Sequence, residues 1–418
     1  MIPVFLKRPG VRKLLVTVLV LGFLLSLIAM VTGQARDLEP YAQRMKAYRS
    51  AMLFGLGFFL LAALYSICSG ANILTFCAAV TVLYAIGVSF QILFAGFEKQ
   101  LLLQAGSLVT ACLVFLVWRH SRDISDIWYT VLVVAALVLL VLQLFFTKEL
   151  NGARLWIRIG SFSLQPGEII KPVLVLLGAG SYRKSARSFL YFVITLLSIA
   201  IFVLFKDLGT AVVLFCSLVL VTYLTFDSEL LSLGLIGIAL AAFIGVLMVS
   251  SYARTRFGNW GNVMEIPGSQ QSNYIKGVLF GGFSGLGLPH AHIMTGTDRF
   301  VSTDASLAAV LAVYGVPILL LTMLCYGLLV LQAAHNRSIF PANHLVLCQV
   351  GVMIFINAML NLCGSLDLLP FTGVTAPLIS YGGSSALSFG AMLGLQAAAL
   401  NPAIHPPKRR PLCTAVKS

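Results

Sequence analysis

Apolar stretches long enough to cross a bilayer recur along almost the whole chain, separated by short polar breaks. A helix needs about 17–25 predominantly apolar residues to cross the hydrocarbon core. Stretches near 14–33, 51–69, 73–95, 101–118, 128–147, 168–181, 189–205, 209–226, 231–250, 306–332, 343–362 and 385–401 approach or meet that length. The pattern predicts an all-α polytopic membrane protein of about twelve transmembrane helices with one large extracytoplasmic loop. Lys7, Arg8, Arg12 and Lys13 precede the first stretch, and no small-residue cleavage site follows it. It therefore reads as a signal-anchor helix.

The one long polar interruption, 251–305, is rich in glycine but keeps aromatic and aliphatic residues throughout. A disordered segment would be poor in those residues, so the pattern favours a folded functional loop. The chain divides into N-terminal membrane helices (1–147), a membrane core carrying the loop (148–405) and a short basic tail (406–418).

Composition strengthens the membrane reading. Of 418 residues, 59% are hydrophobic and 10% charged, with a mean hydropathy of +0.97, where a soluble domain has about 25% charged residues. The eight cysteines are scattered without a Cys-x-x-Cys pair, which favours neither a disulfide framework nor a zinc site. A net charge of +14 favours anionic lipid. Nucleic acid is excluded as a partner, because no basic segment is interleaved with exposed aromatics.

Basic residues set the orientation. Lys7–Lys13 and Lys408, Arg409 and Arg410 predict both termini in the cytoplasm, with Arg119, Arg122, Arg183, Lys184 and Arg187 on the same side. Arg36, Arg44, Lys46 and Arg49 run against that rule. Parity then places 148–167, 251–303 and 363–384 outside, and these carry most of the glycine and proline motifs.

In the first outer motif, Asn151, Arg154, Trp156 and Arg158 precede Gln165, Pro166, Glu168 and Lys171. Pro166 suits a first helical position, Glu168 the first turn, and Glu168 and Lys171 are spaced to pair. They read equally as an ion pair at a helix start or as a polar entrance at the outer surface. Asp207 can cap a helix starting at Gly209, and the adjacent Lys206 offers a cation to an anionic headgroup. In the loop, Glu265, Asp298 and Asp304 are the carboxylates, and His290 and His292 lack a third metal ligand at a recognisable spacing. Gly281, Gly282, Gly285 and Gly287 permit close backbone approach. Asp304, at the loop's foot, is the strongest carboxylate candidate. The last motif, from Pro370 through Pro377, Ser380, Tyr381, Gly382, Gly383 and Ser384, describes a broken or re-entrant element.

These motifs resemble those of the SEDS family (shape, elongation, division and sporulation; RodA, FtsW and SpoVE). The matching residues are Asn-Gly-Ala-Arg-x-Trp at 151–156, Gln-Pro-x-Glu-x-x-Lys at 165–171, Asp-Leu-Gly-Thr-Ala at 207–211, Gly-Gly-x-x-Gly-x-Gly at 281–287, Thr303-Asp304, and Leu-Pro-x-Thr-Gly through Ser-Tyr-Gly-Gly-Ser-Ser at 369–385. The resemblance implies a bacterial plasma-membrane peptidoglycan glycosyltransferase that polymerises lipid II at the outer face, for elongation, division or sporulation. It implies a ten-helix core, here with an extra N-terminal pair, and a class B penicillin-binding protein as partner within the elongation or division machinery.

The family's essential aspartate follows a threonine and lies 23 residues after the twin glycine and 11 before a further glycine, intervals that select Asp304 from Gly281 and Gly315. Thr303, Gly281, Gly282, Ser380, Tyr381, Gly382, Gly383 and Ser384 fall on family motifs and are carried over as substrate-binding candidates, with Arg154, Trp156, Arg158, Glu168, Lys171, Lys206 and Asp207. The chain departs from the family at Ala312 and Val313, where two acidic residues are usual, at Gly167 for serine and at Lys206 for proline. The implied chemistry is inverting glycosyl transfer from undecaprenyl-pyrophosphate-linked glycan, with Asp304 as base and Arg154, Arg158, Lys171 and Lys206 near the leaving pyrophosphate. A divalent cation, Mg²⁺ or Mn²⁺, can share that last task, although no ligand cluster demands one. The rival readings are a flippase or transporter for the lipid-linked precursor, and an inactive scaffold for a penicillin-binding protein.

Overall fold

The structure, a computed structural model, describes residues 71–94, 97–119, 124–150, 153–159, 162–182, 185–266, 269–287, 301–335 and 341–400. The expected helices at 14–33 and 51–69, the basic tail, and Asn151, Gly152, His290, His292 and Asp298 lie outside them. In chain order the helices are α1 (Ala71–Phe94), α2 (Phe97–Trp118), α3 (Asp126–Phe146), α4 (Pro166–Ser181), α5 (Ser185–Leu204), α6 (Leu208–Phe226) and α7 (Glu229–Val249). Two short helices of the polar loop follow, α8 (Ser251–Gly258) and α9 (Gln270–Gly281), then α10 (Ser306–His335), α11 (Pro341–Ser365) and α12 (Gly383–Leu400).

Every apolar stretch expected from 73 onward is thus helical. Among the described residues, seven helices (α3, α5, α6, α7, α10, α11 and α12) are long and apolar enough to cross a membrane by length and composition. The fold is multi-pass and overwhelmingly helical. The all-α expectation holds for the bundle, which carries at one end a small three-stranded antiparallel sheet of β1 (Lys148–Leu150), β2 (Ala153–Ile159) and β3 (Phe162–Leu164), in the order β1-β2-β3. Its cause is visible in β2, where Arg154 and Arg158 are exposed while Ile157 between them is buried, the two-residue period of a strand.

The connections gather at two ends of the bundle. At one end, Arg187 donates from Nη1 to the Ile124 carbonyl at 2.8 Å and the Gly180 carbonyl at 3.1 Å. It also pairs with Asp126 and lies over the Tyr129 ring, tying the α2–α3 connection to the α4–α5 turn. At the other end lie the small sheet, the α5–α6 junction, the polar loop and the segment between α11 and α12.

The apolar run at 306–332 reads as one span but is two helices meeting at Gly315, whose φ of 81° and ψ of 179° interrupt α10. Pro317 then starts the second piece, at a position where a missing N–H costs nothing. Neighbours on α11 show how sharp the break is. Leu307 N donates to Asn361 Oδ1, and Gly351 packs against Val330. Those pairs span ten residues of α11, ~15 Å at 1.5 Å per residue, but 23 of α10, ~34 Å if it were straight. The first piece therefore runs obliquely, and Leu307, Ala308, Ala309, Val310 and Ala312 are fully buried in it.

The glycine motif explains the break. A Cβ on Gly281 would lie 2.4 Å from the Ala312 carbonyl oxygen, and one on Gly285 would lie 2.5 Å from Gly315 N. That closeness lets Leu286 N and Gly287 N donate to the carbonyls of Ala312 and Val313 (2.8 and 2.9 Å), while Val316 N donates to Phe283 O (2.9 Å). The buried backbone of the kink is satisfied in this way. Ala312 and Val313 sit in this dry seam, where a carboxylate would have no water.

Candidate functional site

Four segments converge at the sheet end of the bundle: 163–171, 205–210, 301–307 and 371–388. Pro166 opens α4 as expected, and two turns of buried side chains follow. Lys171 is fully buried and donates to Glu168 Oε1 at 2.8 Å and to Asn357 Oδ1 at 3.1 Å, with its ammonium 5.5 Å from the centre of the Phe389 ring. Glu168 is almost as enclosed, and Ser388 donates to its backbone carbonyl at 2.7 Å. Of the two readings of this pair, the sealed ion pair describes the geometry, and the polar entrance does not.

Asp207 caps α6, accepting from Thr210 N at 3.1 Å. Burial raises its pKa, opposed by the Thr210 amide and hydroxyl and by the charge of Lys171. Gly167 packs against it, since a Cβ there would lie 3.2 Å from Asp207 Oδ2. Beside it, Lys206 is half-buried and holds a φ of 67°, a left-handed conformation that a proline ring could not adopt.

One residue on, a Cβ on Gly209 would lie 2.0 Å from Val374 Cγ2, so α6 begins hard against the 372–374 strap. On that strap, Gly373 (φ 68°) passes close to the Asp304 carboxyl, and a Cβ on it would lie 3.3 Å from Oδ2. Asp304 is itself half-buried. Its backbone is fixed by Asn361, whose Nδ2 donates to the carbonyls of Asp304 (2.9 Å) and Val374 (2.8 Å) while its Oδ1 accepts from Leu307 N (3.1 Å).

The strap returns through Ser380, which donates to the Thr303 carbonyl at 2.5 Å, accepts from Ala376 N at 2.8 Å and lies 2.7 Å from the Ser306 hydroxyl. Tyr381 N donates to Ser302 O at 2.8 Å. Gln91 of α1 donates to the carbonyls of Ser302 (2.8 Å) and Ile379 (2.6 Å). Gly382 and Gly383 lead into α12, where the Ser384 hydroxyl accepts from Gln165 N at 3.0 Å. The segment is a non-helical strap, and the carbonyls of Val374, Pro377 and Ile379 on it are paired with side chains of α11, α10 and α1, as buried backbone requires.

The sheet and the polar loop complete the rim. Arg154 and Arg158 are exposed and Trp156 half-buried, with Arg154 N donating to Phe205 O at 3.3 Å and its guanidinium 5.9 Å from the Phe205 ring centre. From the loop, Arg256 donates to the Phe371 carbonyl, Trp260 Nε1 to Asp367 O (3.1 Å) and Gln271 Nε2 to Gly364 O (2.6 Å). Gly281 is buried in the kink seam, whereas Gly282 is exposed with nothing within 4 Å of a Cβ.

The structure thus brings together Asp304, Thr303, Ser380, Tyr381 and the strap, and places Glu168, Lys171 and Asp207 in an enclosed layer beside them. Sequence reasoning passed over Asn361, Asn357 and Gln91. Their signal was single amides inside otherwise apolar stretches, which are costly in a membrane unless they pair. Among the described residues, no three or more His, Cys, Asp or Glu side chains gather as a metal site.

The FtsW/RodA/SpoVE family model, described as a cell cycle protein, matches residues 62–401. An FtsW of Halorhodospira halophila, described as a probable peptidoglycan glycosyltransferase, is 32% identical over 287 residues, covering 63% of this chain and 71% of its own. The stage V sporulation protein E of Bacillus subtilis is 29% identical over 306 residues, covering 69% of this chain and 82% of its own. Among solved structures, a chain of a peptidoglycan synthase complex that coordinates polymerization and crosslinking superposes with a TM-score of 0.61 at 26% identity, over 78% of this chain and 96% of that one. The rod shape determining protein RodA of Thermus thermophilus superposes with a TM-score of 0.51 at 22% identity, over 78% and 95%, which shows the shared fold. With its motifs in order and its fold shared, this chain belongs to the FtsW/RodA/SpoVE family.

Proposed function

We propose that the protein is a peptidoglycan glycosyltransferase that polymerises lipid II, with Asp304 as its general base. The observation that carries the reading is the placement of Asp304, a half-buried carboxyl over Gly373 on a backbone held by Asn361. Relatives described as peptidoglycan glycosyltransferases support the activity. In the proposed step the Asp304 carboxylate takes the proton of an acceptor sugar hydroxyl. The hydroxyl oxygen forms a bond to the anomeric carbon of the growing chain from the face opposite the lipid pyrophosphate, whose C–O bond breaks. The configuration inverts, and the pyrophosphate leaves with the bonding electron pair. General-base catalysis of this kind contributes typically about 10²–10⁴-fold.

The departing charge needs cations. Lys171 is sealed and engaged with Glu168, so Arg154, Arg158 and Lys206 at the rim are the candidates for that role. Trp156, Thr303, Tyr381, Gly382, Gly383 and Ser384 belong to the sheet and the converging segments and are proposed to shape the site. The family's ten-helix core corresponds to α1–α7 and α10–α12, and the site lies on the outer face with both termini cytoplasmic. A class B penicillin-binding protein is the proposed partner, in keeping with the synthase complex that the fold matches.

The test is polymerisation of lipid II by the purified protein, with and without that partner. Glycan strands are expected in both cases, in greater amount with the partner. Movement of lipid II across vesicle membranes without polymer would favour the flippase reading, and inactivity in every condition would favour the scaffold.

A further inference from the structure

The polar loop carries an apolar stripe on its outside. Along α9 the exposed residues are Lys276, Leu279 and Phe280, and Phe283 follows one turn later. Leu279 is 69% exposed, Phe280 75% and Phe283 72%. The opposite face of α9, with Tyr274, Gly277 and Gly281, is buried against the protein. A helix facing water would carry its apolar residues inward. Here the outward face is the apolar one, and two adjacent phenylalanines exposed to this degree mark a contact surface.

The neighbouring helix bears on what covers it. Phe283 O accepts from Val316 N, so the stripe ends at the head of the second piece of α10. Below that point α10 exposes Leu320 (62%) and Leu324 (44%), part of a helix apolar and long enough to cross a membrane. The phenylalanines therefore continue the exposed apolar surface of α10 at the head of its second piece. Lys276, four residues before Phe280, lies on the same side as Phe280 and one turn back along α9. An apolar tip with a cation behind it is the arrangement that settles at a headgroup boundary, with aromatic rings among the upper acyl carbons and the ammonium among phosphates.

We infer that the C-terminal half of α9 is a membrane-interface anchor, holding the loop to the lipid surface through Leu279, Phe280 and Phe283, with Lys276 against anionic lipid headgroups. The anchor bears on the site, whatever its chemistry, because α9 packs on the buried first piece of α10, whose head is Asp304.

A photoreactive benzophenone side chain placed at Phe283 of the full-length protein, in membranes of the expressing cells, tests the inference. Irradiation is expected to give a product heavier by one phospholipid, several-fold above the yield from the same probe at the exposed Glu265 and comparable with that from Leu320. A probe at Leu279 gives the same readout if the first substitution does not fold. In vesicles of phosphatidylglycerol and phosphatidylethanolamine, Lys276→Glu should lower the phosphatidylglycerol share of the adducts. Lipid adducts from Leu320 but none from Phe283 or Leu279 would overturn the anchor. So would adducts to a protein in place of lipid, which would make the stripe a docking surface for a partner.

Discussion

Lys171 and Asp304 stand at the same end of the bundle, in neighbouring layers, and their surroundings differ in kind. Lys171 has no exposed surface, and its charge is met by Glu168, an amide oxygen and an aromatic face. Asp304 is half-buried, and Asn361 and Ser365 both donate to its backbone carbonyl. A charge that is fully enclosed and paired organises the fold, since pulling either partner out leaves an uncompensated ion. A half-buried carboxyl beside a glycine strap, on a backbone held in place, has the geometry that the proposed base needs. Two charges that look alike on paper, each beside a helix start, thus differ in setting: one is enclosed and paired, the other half-buried beside a glycine strap.

That contrast can be broken at several points. Lys171→Met should have the largest effect on stability, because removing one partner of a buried pair costs about 3–5 kcal/mol. Thermal unfolding in detergent should show it, and Glu168→Gln in the same chain should recover much of the loss. A stable Lys171→Met protein would mean that the layer tolerates an unpaired carboxylate and that its role is not architectural. Gly285→Ala forces a Cβ within 2.5 Å of Gly315 N at a φ of 83°. It should cost about 1–3 kcal/mol for the strained backbone alone, read as a lower unfolding midpoint, and loosen the kink that carries Asp304.

Asn361→Leu leaves an amide and two carbonyls without their partner, at about 1–3 kcal/mol for a buried group left unsatisfied. Its expected signature is a fall in kcat with KM little changed, because the group positions Asp304 and does not hold substrate. Arg154→Gln should be the mildest, within about 0.5 kcal/mol of wild-type stability as an exposed substitution. It should nonetheless slow polymerisation if the rim cations meet the pyrophosphate, and an unchanged rate would remove Arg154 from that role.

Much of this was legible in the chain. Apolar runs located α1–α7 and α10–α12, though not the two short helices of the polar loop; Asp207 announced its cap, and Pro166, Glu168 and Lys171 announced a helix start with an ion pair. The interval from Gly281 to Gly315 could be read from the family pattern, and in the fold those two glycines belong to one seam. What escaped has physical causes. Hydropathy does not register a single glycine that divides an apolar run, so 306–332 reads as one span although Gly315 folds it. Spacing shows that Glu168 and Lys171 can meet but not that Phe389 and Asn357 close over them from distant helices. The β2 strand alternates over only a few residues, too short to outweigh the surrounding helical pattern.

The most direct measurement compares wild type, Asp304→Asn and Asp298→Asn for lipid II polymerisation, each purified at equal folded yield. Asp304→Asn is predicted to lose polymerisation by about 10²-fold or more with an unfolding midpoint close to wild type, while Asp298→Asn stays active. Near wild-type polymerisation by Asp304→Asn would contradict the account.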